Sequence, residues 1–171
     1  SNEQVISVGE QAESQWQWIA QHVMTALSAI QLGVCQEALR RTAEYSNERK
    51  QFGMKIGVFQ SFAHRAADAY IDIEAMRSTV WQAAWQLAQP DYDIQTAALK
   101  VHTAKWWANQ AGHFVSHSAQ HLHGGIGSDL EFPIHRFFLW SKQLEMLAGN
   151  RAEQLNMLGK IIASQPVEIK S

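Results

Sequence analysis

A helical period that runs for long stretches without proline is the strongest constraint on this fold. Trp16, Ile19, Val23, Leu27, Ile30 and Val34 advance 18 residues in five steps, an average of 3.6, and so share one helical face. No proline precedes Pro90, and the spacing predicts a helix over about 14–46, with Ser46-Asn47 near its end. Phe59, Phe62, Ala66, Ala69, Ile73, Met76, Val80, Ala84 and Leu87 cover 28 residues in eight steps, again close to the helical period. Pro90-Asp91 ends that stripe. A third helix is expected over about 92–122, stopping at His123-Gly124-Gly125-Ile126-Gly127, where glycine permits the positive φ of a C-terminal cap. Pro133 starts a brief helix, and a last one runs over about 142–163, before Pro166.

Three helices of about 30 residues with short connections predict an all-α, antiparallel up-down bundle over 15–163. Residues 1–14 form a lead-in in which Val5–Gly9 resembles the tail of a β-strand, and 164–171 a polar tail. Uneven face widths and abundant Ala and Trp argue against a coiled-coil rod. Seven Trp and seven Phe are more bulk than a thin bundle hides, so part of it belongs to an interface.

Composition narrows the function. A net charge of −2 gives no basic field for nucleic acid or an anionic membrane. No uninterrupted run of about 18 apolar residues occurs, so no membrane span is expected. The single Cys35 excludes an internal disulfide, lies among apolar helical positions as a core residue, and fits a reducing compartment. Ser1-Asn2-Glu3-Gln4 has neither a basic nor an apolar leader region, and the expected location is cytoplasmic.

Tyr45-Ser-Asn-Glu48-Arg49-Lys50-Gln51-Phe52-Gly53-Met-Lys55-Ile56-Gly57-Val-Phe59-Gln60 places a guanidinium and free backbone N–H groups where one long helix gives way to the next, a workable anion site. Residue types alone equally allow a solvated helix corner. His113, His117 and His121 form an i, i+4, i+8 row, and one face carrying HxxxH can bind zinc. With no adjacent Cys and only Asp129 and Glu131 nearby, the row reads as a partly buried polar stripe, and no metal is expected. Trp81, Trp85, Trp106 and Trp107 read by their spacing as core or subunit contact rather than a ligand shelf.

The 45–60 segment resembles the "Y…R..FG..I..FQ" signature of acyl-CoA dehydrogenases. Ala66–Asp72 with Ala83-Ala84-Trp85 resembles that family's next helix, and His121–Gly127 resembles its "Q.(F/H)GG.G" turn. The HGGIG wording, with His135 eight residues beyond Gly127, is similar to the subgroup acting on steroid side chains and other bulky acyl-CoAs. The similarity spans about residues 5–163, as the C-terminal helical domain. It implies FAD as cofactor, an acyl-CoA substrate, and assembly as a homo- or hetero-oligomer with acyl-CoA dehydrogenase subunits.

Carried over by position, the resemblance implies that Arg49 reaches the FAD pyrophosphate, accompanied by Gln51 and Phe52, and that Gln60 lies near the adenosine half. It sets the backbone of Gly124 and Gly125 against the dinucleotide, with His121 replacing the family's Gln. It also exposes a departure. The family removes the substrate α-proton with a Glu, and its two known positions are Ala148 and Val23 here, so no catalytic residue is expected. Met24 replaces the Arg beside one of them. Asn150 replaces the Thr of the "EGT" turn, and Glu145 and Glu153 read as surface charges. The resemblance therefore implies a non-catalytic or half-site subunit, inactive by itself and not holding FAD tightly. The alternatives are a stand-alone assembly or binding bundle, and an enzyme whose base has moved to Glu145 or Glu153.

Overall fold

The computed structural model describes residues 6–91 and 93–164. Five helices make up almost all of them: α1 (Glu10–Glu48), α2 (Gln60–Leu87), α3 (Ile94–His123), α4 (Ile134–Met146) and α5 (Arg151–Ser164). The expected all-α bundle is what forms. Between α1 and α2 the chain makes a small antiparallel hairpin, β1 (Lys50–Gln51) with β2 (Met54–Lys55), then a 3₁₀ turn at Ile56–Val58. Of the expected strand tail Val5–Gly9, Val5 lies outside the described residues and Ile6–Val8 belong to no strand. Gly9, at φ 69, caps α1, whose first turn carries Glu10 and Glu13 against the positive helix end. Tyr92 and the tail 165–171, with Pro166, also lie outside the described residues.

α3 is the hub and packs against α1, α2, α4 and α5. Small side chains let it do so: Ala97, Ala104, Ala108, Ala111, Gly112, Ser116, Ser118 and Ala119 are all buried. Met24, Leu32 and Cys35 of α1 meet Ile73, Met76 and Val80 of α2 and Val101 and Val115 of α3 in the main core. The α2 stripe read from the sequence points inward, as its spacing predicts. Gly112 marks the tightest crossing, because a Cβ there would lie 2.6 Å from the Gln31 Cδ. Gln31 Nε2 instead donates to Ser141 Oγ at 2.7 Å, and that hydroxyl donates to Gly112 O at 2.8 Å, tying α1, α4 and α3 together.

The apolar row of α1 behaves differently. Trp16, Ile19, Val23 and Ile30 are exposed, Trp16 by 65%. The face that packs interleaves Met24, Leu32, Cys35 and Ala38 with a polar row: Gln21, Thr25, Ser28, Gln31, Thr42 and Ser46. Its hydroxyls cost little to bury, since Thr25, Ser28 and Thr42 each donate to the carbonyl four residues back, at 2.7–2.9 Å. α1 also holds an 18-residue window of mean hydropathy 1.2, long and apolar enough by composition to cross a membrane. The polar row on its packed face shows that this hydropathy comes from one outward stripe rather than a uniformly apolar cylinder.

One expected element is divided. The helix expected over 142–163 breaks after Met146, because Ala148 and Gly149 take positive φ, 57° and 96°. α5 then starts from its own cap.

Candidate functional site

Two ends of the bundle carry the residues singled out above. At the first, Arg49 closes α1, its N–H donating to Tyr45 O at 2.9 Å, and its carbonyl accepts from Ile56 N at 2.9 Å across the hairpin. Phe52 and Gly53 form the tip with φ of 53° and 79°, the double left-handed turn that suits a two-residue hairpin. A phenylalanine is disfavoured there, yet Phe52 stands 92% exposed, edge-on to Phe59 at 6.3 Å. Gly57 lets the 3₁₀ turn pass the last turn of α1, since a Cβ would meet Ser46 Oγ at 2.9 Å.

The end of α3 reaches the same place. His123 is buried and stacks on Tyr45 with ring centroids 4.5 Å apart, its Nδ1–H donating to Ala119 O at 2.7 Å. Gly124 follows at φ 64°, ψ −144°, a region essentially open to glycine alone. Gly127 is fixed for another reason: a Cβ would meet Gln120 O at 2.8 Å. A groove of about 530 Å³ joins the two segments, lined by Phe52, Ile56, Phe59, Phe62, Arg65 and His121. Arg49, Gln51, Gln60, Gly124 and Gly125 are exposed around this end. Arg49 makes no ion pair among the described residues. Arg65 was not picked out from the sequence; it lies one helical turn beyond Phe62 on the face that meets α3, and its Nε approaches Ser118 Oγ at 3.3 Å.

The second place is the turn at Ala148, Gly149 and Asn150. Asn150 caps α5: its Oδ1 accepts from Ala152 N at 2.9 Å and Glu153 N at 3.1 Å, while Glu153 Oε2 accepts from Asn150 N at 2.9 Å. That reciprocal pair is a capping box, so Glu153 has a structural task rather than a free surface position. Glu145 is equally engaged. Lys142 Nζ donates to its Oε2 at 2.8 Å, Arg151 Nε lies 3.5 Å from Oε1, and His113 stands 3.3 Å away. Burial alone raises this carboxyl, but Lys142 and His113 outweigh it and hold the group below the usual carboxylate range. A carboxylate so stabilised is a poor proton acceptor. Val23, the other position examined for a base, sits half-exposed on the outward row of α1.

The histidine row splits between these ends. His113 joins Glu145 and Lys142, His117 stacks near it at 4.3 Å and against Phe138, and His121 enters the groove. Burial, followed by Lys142 and His113, lowers the His117 pKa. Among the described residues no group of three or more His, Cys, Asp or Glu is placed to hold a metal ion. Trp81 and Trp85 are exposed, which excludes a core role for them, while Trp106 and Trp107 are half-buried and edge-on at 5.2 Å. Cys35 is buried, and burial pushes its thiol up to about 12.

The profile of the acyl-CoA dehydrogenase C-terminal domain matches residues 17–163. The chain belongs to the acyl-CoA dehydrogenase family. Acyl-CoA dehydrogenase FadE27 of Mycobacterium tuberculosis is 41% identical over 153 residues, covering 87% of this chain and 41% of that protein. The ChsE4–ChsE5 complex from the same species superposes with a TM-score of 0.82 at 42% identity, over 87% of this chain and 40% of the other. The Tcur3481–Tcur3483 steroid ACAD, solved as a variant, gives 0.81 at 46% identity, over 86% and 40%. The chain thus spans about two fifths of the length of the relatives it matches. The Tcur3481–Tcur3483 protein is a steroid ACAD, the type that the HGGIG motif resembles.

Proposed function

We propose that this chain is the C-terminal helical domain of a FAD-dependent acyl-CoA dehydrogenase subunit that supplies cofactor contacts and assembly surface but no catalytic base. The groove between the hairpin and the last turn of α3, just before the double-glycine bend, carries this reading, alongside a turn whose neighbouring carboxylates are both committed elsewhere. The residues at the groove fit part of a dinucleotide. Arg49 offers an exposed guanidinium for the pyrophosphate. Gln51, Gln60 and His121 add exposed polar groups, Phe52 an aromatic wall, and the bare backbone of Gly124 and Gly125 allows close approach.

When bound, FAD supplies the acceptor for the hydride leaving the substrate β-carbon. The α-proton needs a carboxylate that this chain lacks at Ala148 and Val23, so a partner subunit provides it. The outward row of α1, with Trp140 of α4, is the surface such a partner covers. A bulky, steroid-type acyl-CoA is the substrate class, and the cytoplasm the compartment. The residues before α1 then follow a β-domain that carries most of the flavin contacts.

Co-expression with an acyl-CoA dehydrogenase subunit that retains its Glu tests the reading. Flavin and acyl-CoA-dependent flavin reduction are expected only in the assembly, and Arg49→Ala should lower flavin content there. Dehydrogenation by this chain alone at the full rate would overturn the assignment.

A further inference from the structure

The Ala148–Asn150 turn is shaped from behind by a polar scaffold. Lys105 and Asn109 lie one helical turn apart on the buried side of α3, Lys105 with 1% of its surface exposed. Lys105 Nζ donates to Asn109 Oδ1 at 2.5 Å and to Leu144 O at 2.9 Å, joining α3 to the end of α4. Asn109 Nδ2 then donates to Gly149 O at 3.0 Å. From α5, Gln154 Nε2 donates to Ala148 O at 2.8 Å and reaches Gly149 O at 3.4 Å. Those two carbonyls fix the Gln154 amide, so its Oε1 faces His102 Nδ1 at 2.6 Å and the proton of that pair sits on the imidazole.

Both carbonyls of the turn are thus held by side chains, one of them from two helices at once. Two costly features meet here. An ammonium is buried in a helix interface, and an alanine is kept in the left-handed region. Gly149 resists change as well, because its φ of 96° is rarely adopted by L side chains and a Cβ there would displace the Gln154 amide, 2.6 Å away. A simple linker between two helices needs none of this. Strain held in place by surrounding structure is the pattern of a loop kept in shape for contact outside the bundle.

We propose that Lys105, Asn109 and Gln154 are positioning residues that keep this turn as a preformed seat, presenting the side chain at position 148 outward at a fixed angle to an acyl thioester. The inference rests on the acyl-CoA dehydrogenase reading proposed above, in which Ala148 stands at the family's base position. It means that the seat survives although its carboxylate is gone. A carboxylate placed at 148 takes the proton from the thioester Cα–H, the electron pair of that bond becomes the enolate, and a deuteron returning from D₂O labels the α-carbon. No oxidant is consumed.

The test uses the assembled oligomer, with a partner whose own Glu is changed to Gln so that exchange reports on position 148 alone. Ala148→Glu is expected to raise α-proton exchange of a steroid-side-chain acyl-CoA at least tenfold over the unmodified chain. Adding Lys105→Met or, separately, Asn109→Ala should remove that gain, at temperatures where thermal melting shows either variant folded. Amide hydrogen exchange at 149–152 should quicken in both, with the amides of α2 unchanged. Undiminished α-exchange in the double variants overturns the proposal. So does no exchange from Ala148→Glu in an assembly that dehydrogenates acyl-CoA with its partner's Glu intact. If that intact assembly fails to dehydrogenate any acyl-CoA, the reading of the site fails instead, and the amide exchange of the turn alone decides whether the scaffold holds it.

Discussion

His123 shows how one side chain can join two motifs, meeting Tyr45 from 78 residues further along the chain. Its ring packs against both Tyr45 and Phe132, and its Nδ1–H is committed to Ala119, so a second proton would fall on Nε2, which is buried with no partner among the described residues. Burial accordingly lowers its pKa from 6.5. The sign of the linkage follows: above 6.5 both states are neutral, whereas below it the unfolded chain binds a proton that the folded one resists. Stability therefore falls as the pH drops through 6.5 toward the depressed folded value. His123→Phe keeps the stacking and loses the Ala119 bond, at about 1 kcal/mol. Its melting temperature should show a smaller drop between pH 7 and pH 5.5 than the parent's; an equal drop would discard the account. Phe52 is the opposite case, an exposed ring at φ 53°. Phe52→Asn suits that turn and should raise stability by about 1 kcal/mol. The same change should weaken flavin retention in the assembled oligomer, read by absorbance, if the ring serves as a groove wall.

At the scale of elements, much was legible in advance. The 3.6 period of α2 and the glycines after α3 fixed a helix and its end, because burial and φ each act through single residues. The α4–α5 break was not legible in the period, since the 142–163 pattern stays helical through Ala148; only the resemblance marked a turn there. Its left-handed φ is imposed by Asn109 and Gln154, whose partners lie 40 and 6 residues away. The cap that restarts the chain is visible as Asn150-x-x-Glu153, a spacing that gives Glu153 a capping role rather than that of a free surface charge. Asn150→Ala should destabilise the chain by about 1 kcal/mol, measured by urea denaturation. Glu153→Ala should cost less and leave the turnover of the assembled enzyme unchanged; a collapse of turnover with the fold intact would make Glu153 a base after all. The site was legible only by resemblance. Residue types placed Arg49 at a helix corner, while Arg65 and the groove depend on how α2 lies against α3.

For the whole molecule, the inversion of α1 matters most. Its most apolar row faces outward, while the face against α3 sets Ser, Thr, Gln and small side chains around Met24, Leu32 and Cys35, with Gly112 at the closest approach. Ile30 and Val34 continue that surface beside Phe137 and Trp140 around an open groove of about 510 Å³. Such a face on an isolated chain drives association. The chain should run larger than a monomer in size-exclusion chromatography with light scattering, and Ile30→Glu with Trp140→Glu should return it to 19.3 kDa. A parent that is already monomeric at tens of micromolar would refute the interface. Five of the seven indoles, Trp16, Trp18, Trp81, Trp85 and Trp140, stand in water in the separate chain. Their emission should start long in wavelength and open to acrylamide, then shift blue and become shielded as a partner seals the surface. The protein carries its own optical gauge of assembly, and mixing it with a candidate subunit in a fluorimeter, with no dye or tag, would reveal which one it belongs with.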